Sequence, residues 1–401
     1  MAGTHDTIGA HLERSGVSRR HFLEFCGKLM VAAPAGLALT QHAWAQGVAD
    51  ALSAARRPSV VWLHFQDCTG CTETLLRTAS PDLSELIFDL ISLDYHETVM
   101  AAAGHQAEAA LQKAMTDNEG QFICVVEGSI PEKNGGIYMK LAGKPATKVL
   151  EEVASKAAAV VSIGSCASWG GIPSAAPNPT GATGVDSLVK NKPVVNIPGC
   201  PPNPYTFLAV VLQYAVAGTL PKLDGENRPE FAYGRLIHEH CPRRAHFDAG
   251  RFAEEFGSES HRAGWCLYKL GCKGPVTHAA CSTRHFNDVV DAWPIGIGAP
   301  CFGCTERTVA FKAPYREKAP IYAPTPPSTY PNVDVEEGEI DPWATGIVGG
   351  AVGSILGGTW VAARRFSAKP TEIPPPPAGH KDLDARIAAN NNQDQAAEEE
   401  E

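Results

Sequence analysis

The stretch Val60-Val-Trp-Leu-His-Phe65, followed by Gln66-Asp67-Cys68-Thr-Gly-Cys71-Thr-Glu73, decides how the chain is read. An apolar run of strand length that ends in a turn and a Cys-x-x-Cys pair puts two thiols just past a strand's carboxyl end. Four more runs have this character, at 86–93, 122–126, 160–163 and 194–197, with helical patterns or loops between them. Strands apolar on both faces and separated by crossovers predict a parallel sheet covered by helices, and such sheets bind ligands outside the carboxyl ends of their strands. The cysteines obey that rule: Cys68, Cys166 and Cys200 each lie three residues after a run, and Cys71 is one helical turn past Cys68. Four thiols from three strand ends therefore converge on one edge. The Gly- and Pro-rich turns around them, such as Pro198-Gly-Cys200-Pro-Pro202, can fix thiolates and aim backbone N–H groups at sulfur.

Near residue 225 the alternation stops. Seven further candidate ligands follow, His238, Cys241, Cys266, Cys272, Cys281, Cys301 and Cys304, in a turn-rich stretch poor in aliphatic residues. Such a segment is expected to fold around its metal centres. In chain order the ligands parse as four, four and three, sets that suit iron-sulfur clusters or zinc. Three such sites on one chain suggest a relay for electrons. Disulfides are the weaker reading of the 12 cysteines, because the spacings are ligand spacings and a mature chain of about 350 residues needs no staples. Of the other two, Cys26 lies in the N-terminal signal and Cys124 reads as a small buried apolar residue.

The ends carry addresses. Ser18-Arg19-Arg20-His21-Phe22-Leu23, a modestly apolar run and Ala43-Trp44-Ala45 predict a twin-arginine signal over 1–45, with the mature protein beginning near Gln46. Residues 343–363 carry no charge and span roughly 31 Å as a helix, enough to cross a bilayer, although glycine dilutes the hydropathy. Ridges of small residues (Gly346, Gly350, Ser354, Gly358; Gly349, Gly353, Gly357) suit a membrane-helix partner, and Arg364-Arg365 mark the cytoplasmic end. The tail has Pro374–Pro377 and Glu398–Glu401 runs and no core pattern, so it is read as disordered. A net charge of −10 gives no affinity for nucleic acid.

Cys68-Thr-Gly-Cys71-Thr-Glu73, Val126-Glu-Gly-Ser-Ile-Pro131, Gly164-Ser-Cys166-Ala, Pro198-Gly-Cys200-Pro-Pro-Asn203, His238-x-x-Cys241, Gly271-Cys272-Lys-Gly-Pro275 and Pro300-Cys301-x-Gly-Cys304 together resemble the small subunit of membrane-bound periplasmic nickel-iron hydrogenases. The resemblance runs over roughly residues 18–365. It implies an electron-transfer subunit whose nickel-iron centre belongs to a separate large subunit. It also implies an α/β, flavodoxin-like parallel-sheet domain (46–225) with a proximal 4Fe-4S cluster on Cys68, Cys71, Cys166 and Cys200. A turn-rich iron-sulfur domain (226–318) follows, with a distal 4Fe-4S cluster on His238, Cys241, Cys266 and Cys272 and a medial 3Fe-4S cluster on Cys281, Cys301 and Cys304. A linker (319–341), a transmembrane anchor (342–363) and a cytoplasmic tail (364–401) complete the expectation.

Pro294 stands where related sequences can place a fourth medial cysteine. Gly70 and Gly171 stand where oxygen-resistant relatives carry extra thiols, which implies a one-electron proximal cluster. Glu73 and Glu127 lie at the proximal edge and are assigned no catalytic role. The implied partners are the large subunit and a membrane cytochrome b or related quinone- or thiol-linked module; the anchor has no histidine, so any haem belongs to that partner. Two other readings remain at this point: the cluster subunit of a complex I-like quinone reductase, and a zinc-stabilised surface-anchored binding protein.

Overall fold

The computed structural model describes residues 7–8, 53–78, 89–286 and 289–321. The twin-arginine segment, Cys26, most of the linker, the expected anchor and the tail lie outside the described residues. No helix among the described residues is long and apolar enough to cross a membrane.

Five strands, β1 (Ser59–His64), β2 (Ser92–His96), β3 (Ile123–Glu127), β4 (Ala159–Ile163) and β5 (Val194–Ile197), form one sheet in the order β2-β1-β3-β4-β5. Every neighbouring pair is parallel. This is the order of flavodoxin-like doubly wound sheets, whose switch point lies between β1 and β3. Alternate residues of β1 enter opposite cores: Val60 and Trp62 pack with Val161, Val195 and Phe207 on one face, Val61 and Leu63 with Met115, Val126 and Leu150 on the other. Cys124 is wholly buried in the second core, as its apolar neighbours required.

The second strand begins six residues later than the run at 86–93 suggests, at Ser92. Leu90 and Ile91 are buried but precede it. β2 is an edge strand with its first three residues only partly buried, so apolar continuity, which marks the central strands, overshoots its start.

Helices α1 (Gly70–Leu76), α2 (His105–Asp117), α3 (Ala146–Lys156), α4 (Gly164–Trp169) and α5 (Pro204–Ala217) connect or follow the strands. α5 starts where the Asn203 side chain accepts the Tyr205 N–H and Pro204 occupies the first turn, and it stops at Gly218 with φ 66°. That cap fixes the turn that presents Cys200.

Beyond Arg228 the described chain has short helices and 3-10 turns around a small core of Ile237, Leu267, Leu270, Trp293 and Ile295 with Cys241, Cys272 and Cys301. Candidate ligands are thus core members, as a segment that folds around its centres needs. Ion pairs, those of Arg228 buried and those of Arg307 partly exposed, bind this part to the sheet. Arg228 donates to Asp224 (2.8 Å), to Glu306 (2.9 Å) and to Thr305 O (2.9 Å), and Arg307 pairs with Asp186 and Glu226 while lying over the Trp169 ring.

Candidate metal centres

The switch point gathers the first set. Cys68 follows β1, Cys71 is on α1, Cys166 on α4 and Cys200 follows β5. Burial lifts the Cys71 thiol well above its ordinary value, and the charges of Glu127, Cys166, Cys200 and Cys68 lift it further. Cys166 and Cys200 are likewise raised by burial and by neighbouring thiols of the set, so the four share one small volume, and a positive centre is what would hold them as thiolates. The surrounding backbone leaves room for such a centre by omitting side chains: a Cβ at Gly164 would lie 2.5 Å from Cys71 Sγ, one at Gly171 2.6 Å from Cys166 Sγ, and one at Gly70 3.1 Å from Cys68 Sγ. Cys68 alone of the four is exposed.

Behind these thiols lies a buried polar network that sequence reading missed in part. One Glu127 oxygen accepts the Cys71 N–H at 3.0 Å; the other accepts the Thr72 N–H (3.1 Å), the Thr72 hydroxyl (2.6 Å) and Trp62 Nε1–H (3.2 Å). Because the Thr72 proton goes to Glu127, its oxygen must accept from His64 Nε2 (3.4 Å) and His96 Nε2 (3.3 Å). His64 Nδ1 meets Asp67 at 2.8 Å. Burial works against a charge on His64, but the Asp67 hydrogen bond and the charges of Glu127, Asp67 and Glu97 prevail and raise its pKa, while burial drives His96 down to about 4. The acids around His64 thus favour its charged form, and His96 is neutral. Glu73, by contrast, is an exposed residue paired with Arg77. No short-range pattern joins His64, Thr72, His96 and Glu127; only the strand order does.

His238, Cys241, Cys266 and Cys272 line one cavity together with Ile237, Leu267 and Ile295. His238 sits on the 3-10 turn Ile237–His240, its ring edge-on to Phe247 at 4.5 Å. Its Nε2 is buried with no hydrogen-bond partner, and burial lowers the imidazole to about 4. A neutral imidazole with an orphaned nitrogen beside three thiols matches what a metal would satisfy.

Cys281, Cys301 and Cys304 line a second cavity, which also includes Cys200, Thr277, Arg284, Phe286, Trp293 and Pro294. Its wall holds three thiols of its own, with proline at the expected fourth position. Among the described residues, the one group of three or more His, Cys, Asp or Glu ligand atoms all within 4.8 Å of one another is His64, Asp67 and Glu127. Those atoms already have partners: His64 Nδ1 meets Asp67 at 2.8 Å, and the Glu127 oxygen accepts from Thr72. No cysteine set among the described residues is drawn together to that extent, whereas a single zinc with sulfur at about 2.3 Å would draw its ligands to within about 4 Å of one another.

Residues 68–214 match the family described as NADH ubiquinone oxidoreductase, 20 Kd subunit, and residues 233–316 match the family described as the C-terminal part of the NiFe/NiFeSe hydrogenase small subunit. The chain is 47% identical to the Hydrogenase-2 small chain of Escherichia coli K12 over 367 residues, 91% of this chain and 96% of that protein. It is 48% identical to the periplasmic nickel-iron hydrogenase small subunit 1 of Nitratidesulfovibrio vulgaris, over 78% of this chain and 95% of that one. Among solved structures, the NiFeSe hydrogenase of Desulfovibrio vulgaris Hildenborough is similar with a TM-score of 0.59 and 37% identity, covering 66% of this chain and 98% of that chain. A sheet domain of the quinone-reductase type that continues into the hydrogenase-specific segment, in a chain matching those relatives nearly end to end, places this protein among the electron-transfer small subunits of the nickel-iron hydrogenases.

Proposed function

We propose that this chain carries electrons from hydrogen oxidation in its large subunit through three clusters to a membrane acceptor. The proximal 4Fe-4S cluster would be held by Cys68, Cys71, Cys166 and Cys200, the medial 3Fe-4S cluster by Cys281, Cys301 and Cys304, and the distal 4Fe-4S cluster by His238, Cys241, Cys266 and Cys272. When bound, such clusters supply one-electron carriers at thiolate-anchored positions. The observation that carries this reading is the adjacency of the three sets. Cys200 of the proximal set lines the cavity of the medial set, and the charge of Cys272 in the distal set raises the Cys301 thiol of the medial set. Such contact supports a linear order with the His-containing set at the far end. An imidazole in place of a thiolate removes one negative charge there, which favours a higher potential at the exit.

Export by the twin-arginine route, a C-terminal anchor and a quinone-linked membrane module containing a cytochrome b belong to the same proposal. Its support is the sequence of both ends and a 45% identical relative named the quinone-reactive Ni/Fe-hydrogenase small chain of Wolinella succinogenes. Iron and labile sulfide measured on the purified complex, net of the large subunit's own metal, test the core of it: about eleven irons per small subunit are expected from two four-iron and one three-iron clusters. Zinc without sulfide would refute the reading.

A further inference from the structure

Ser165 is not a candidate ligand, yet it touches all three ligand-bearing turns at the proximal-to-medial junction. It precedes Cys166 at the start of α4 and is 1% exposed. Its N–H donates to Gly199 O at 2.9 Å, its hydroxyl accepts the Gly199 N–H at 3.1 Å, and the same hydroxyl donates to Cys304 O at 2.6 Å. The assignment admits no alternative, since an N–H can only donate, a carbonyl can only accept and serine has one proton. One buried side chain therefore ties the Cys166 turn, the Cys200 turn and the Cys304 turn together. Arg228 on Thr305 O (2.9 Å) and Tyr233 on Pro198 O (2.7 Å) brace the same two turns from outside.

The effect is a close backbone approach between two sites. Cys200 lines the medial cavity, and the Ser165 hydroxyl joins the backbone of its neighbour Gly199 to the Cys304 carbonyl. From Cys200 to the Cys304 turn a route runs along the Gly199–Cys200 backbone and through the two hydrogen bonds of the Ser165 hydroxyl. Resting on the cluster assignment above, we propose that Ser165 is a positioning residue that sets electron transfer between the proximal and medial sites by locking the Cys304 turn onto the Cys200 turn. The step it governs transfers one electron from the reduced proximal site to the oxidised medial site, and no bond is made or broken.

The test uses the complete complex with its large subunit. Oxidised Ser165→Ala and Ser165→Thr complexes are mixed with hydrogen and freeze-quenched, and the decay of the medial 3Fe-4S electron spin resonance signal is timed. Ser165→Ala should keep the signal and its hydrogen-deuterium isotope exchange, which needs no electron to leave the large subunit, but re-reduce the medial site severalfold more slowly. Ser165→Thr, which retains the hydroxyl, should recover most of the rate. The signal reports only molecules that hold the medial site, so partial loading leaves the rate readable. If the alanine variant holds none, Ser165→Cys, a weaker donor of similar size, takes its place with the same two outcomes. A wild-type decay rate in the alanine or cysteine variant overturns the proposal. Absence of the signal from the wild-type complex would instead overturn the medial assignment on which it rests.

Discussion

The Glu127 carboxylate at the end of β3 accepts the backbone N–H of Cys71, the second residue of α1, at 3.0 Å. α1 has no side-chain cap of its own, since Thr69 before it lies in the left-handed region at φ 61°. A neighbouring strand caps the helix that carries a proposed ligand, and the negative charge suits the helix N-terminus.

Replacing Glu127 should therefore act on stability and on the proximal site together. Glu127→Ala leaves the Cys71 and Thr72 N–H groups, the Thr72 hydroxyl and the Trp62 indole without their acceptor. Each buried donor left unpaired costs about 1–3 kcal/mol. Calorimetry should show a large loss of stability and iron analysis a deficit in the proximal cluster, with Glu127→Gln milder on both counts. An alanine variant as stable and as iron-rich as wild type would contradict the capping role.

Glu97 supplies a pH dependence away from the candidate ligands. Burial raises its pKa to about 7, with a long hydrogen bond from the His64 N–H opposing and the charges of Asp67 and Glu108 adding. The folded state thus prefers the protonated acid. The stabilisation is complete below the ordinary value of 4.5 and is lost as pH rises through about 7. Compared with Glu97→Gln, the wild-type protein should lose about 1–3 kcal/mol between mildly acidic and mildly alkaline conditions. Parallel stability curves for the two proteins would rule out this contribution.

Pro294 lines the same cavity as Cys281, Cys301 and Cys304. Pro294→Cys should supply a fourth thiol, remove the 3Fe-4S resonance from oxidised protein and add about one iron per chain. Persistence of the resonance at full intensity would mean that position 294 does not reach the open corner.

Gly171 has φ 49°, and a Cβ there would lie 2.6 Å from Cys166 Sγ. Gly171→Ala should therefore lower proximal loading, through both backbone strain and collision with the thiol. Glycine at positions 70 and 171 adds no thiol to the four proximal cysteines, so a redox titration of the wild-type complex should give a single one-electron step there. Two successive oxidations would require ligands beyond the four cysteines.

Deleting residues 341–401 removes no candidate ligand. A soluble complex that still reduces dyes with hydrogen, but no longer the membrane acceptor, is the expected product. Failure of the truncated chain to assemble with the large subunit would give the C-terminal segment a structural role beyond anchoring.

Local pattern determined four of the five strands and the candidate ligands. Apolar runs at 60–65, 122–126, 160–163 and 194–197 are strands because strands of a covered parallel sheet bury both faces, and the Cys-x-x-Cys spacings follow from what a cluster demands of a short turn. The same criterion misjudged the start of β2, whose first three residues are only partly buried. Only the tertiary structure decided what surrounds the thiols. Glu127 meets Cys71, 56 positions away, because β1 and β3 are neighbours at the switch point. Ser165 meets Cys304, 139 positions away, because the second half of the chain folds back onto the strand ends. Hydrogen bonds between residues so far apart leave no periodicity along a sequence; they exist when loop closure has brought both partners together, and that cost is met by the whole core rather than by either residue.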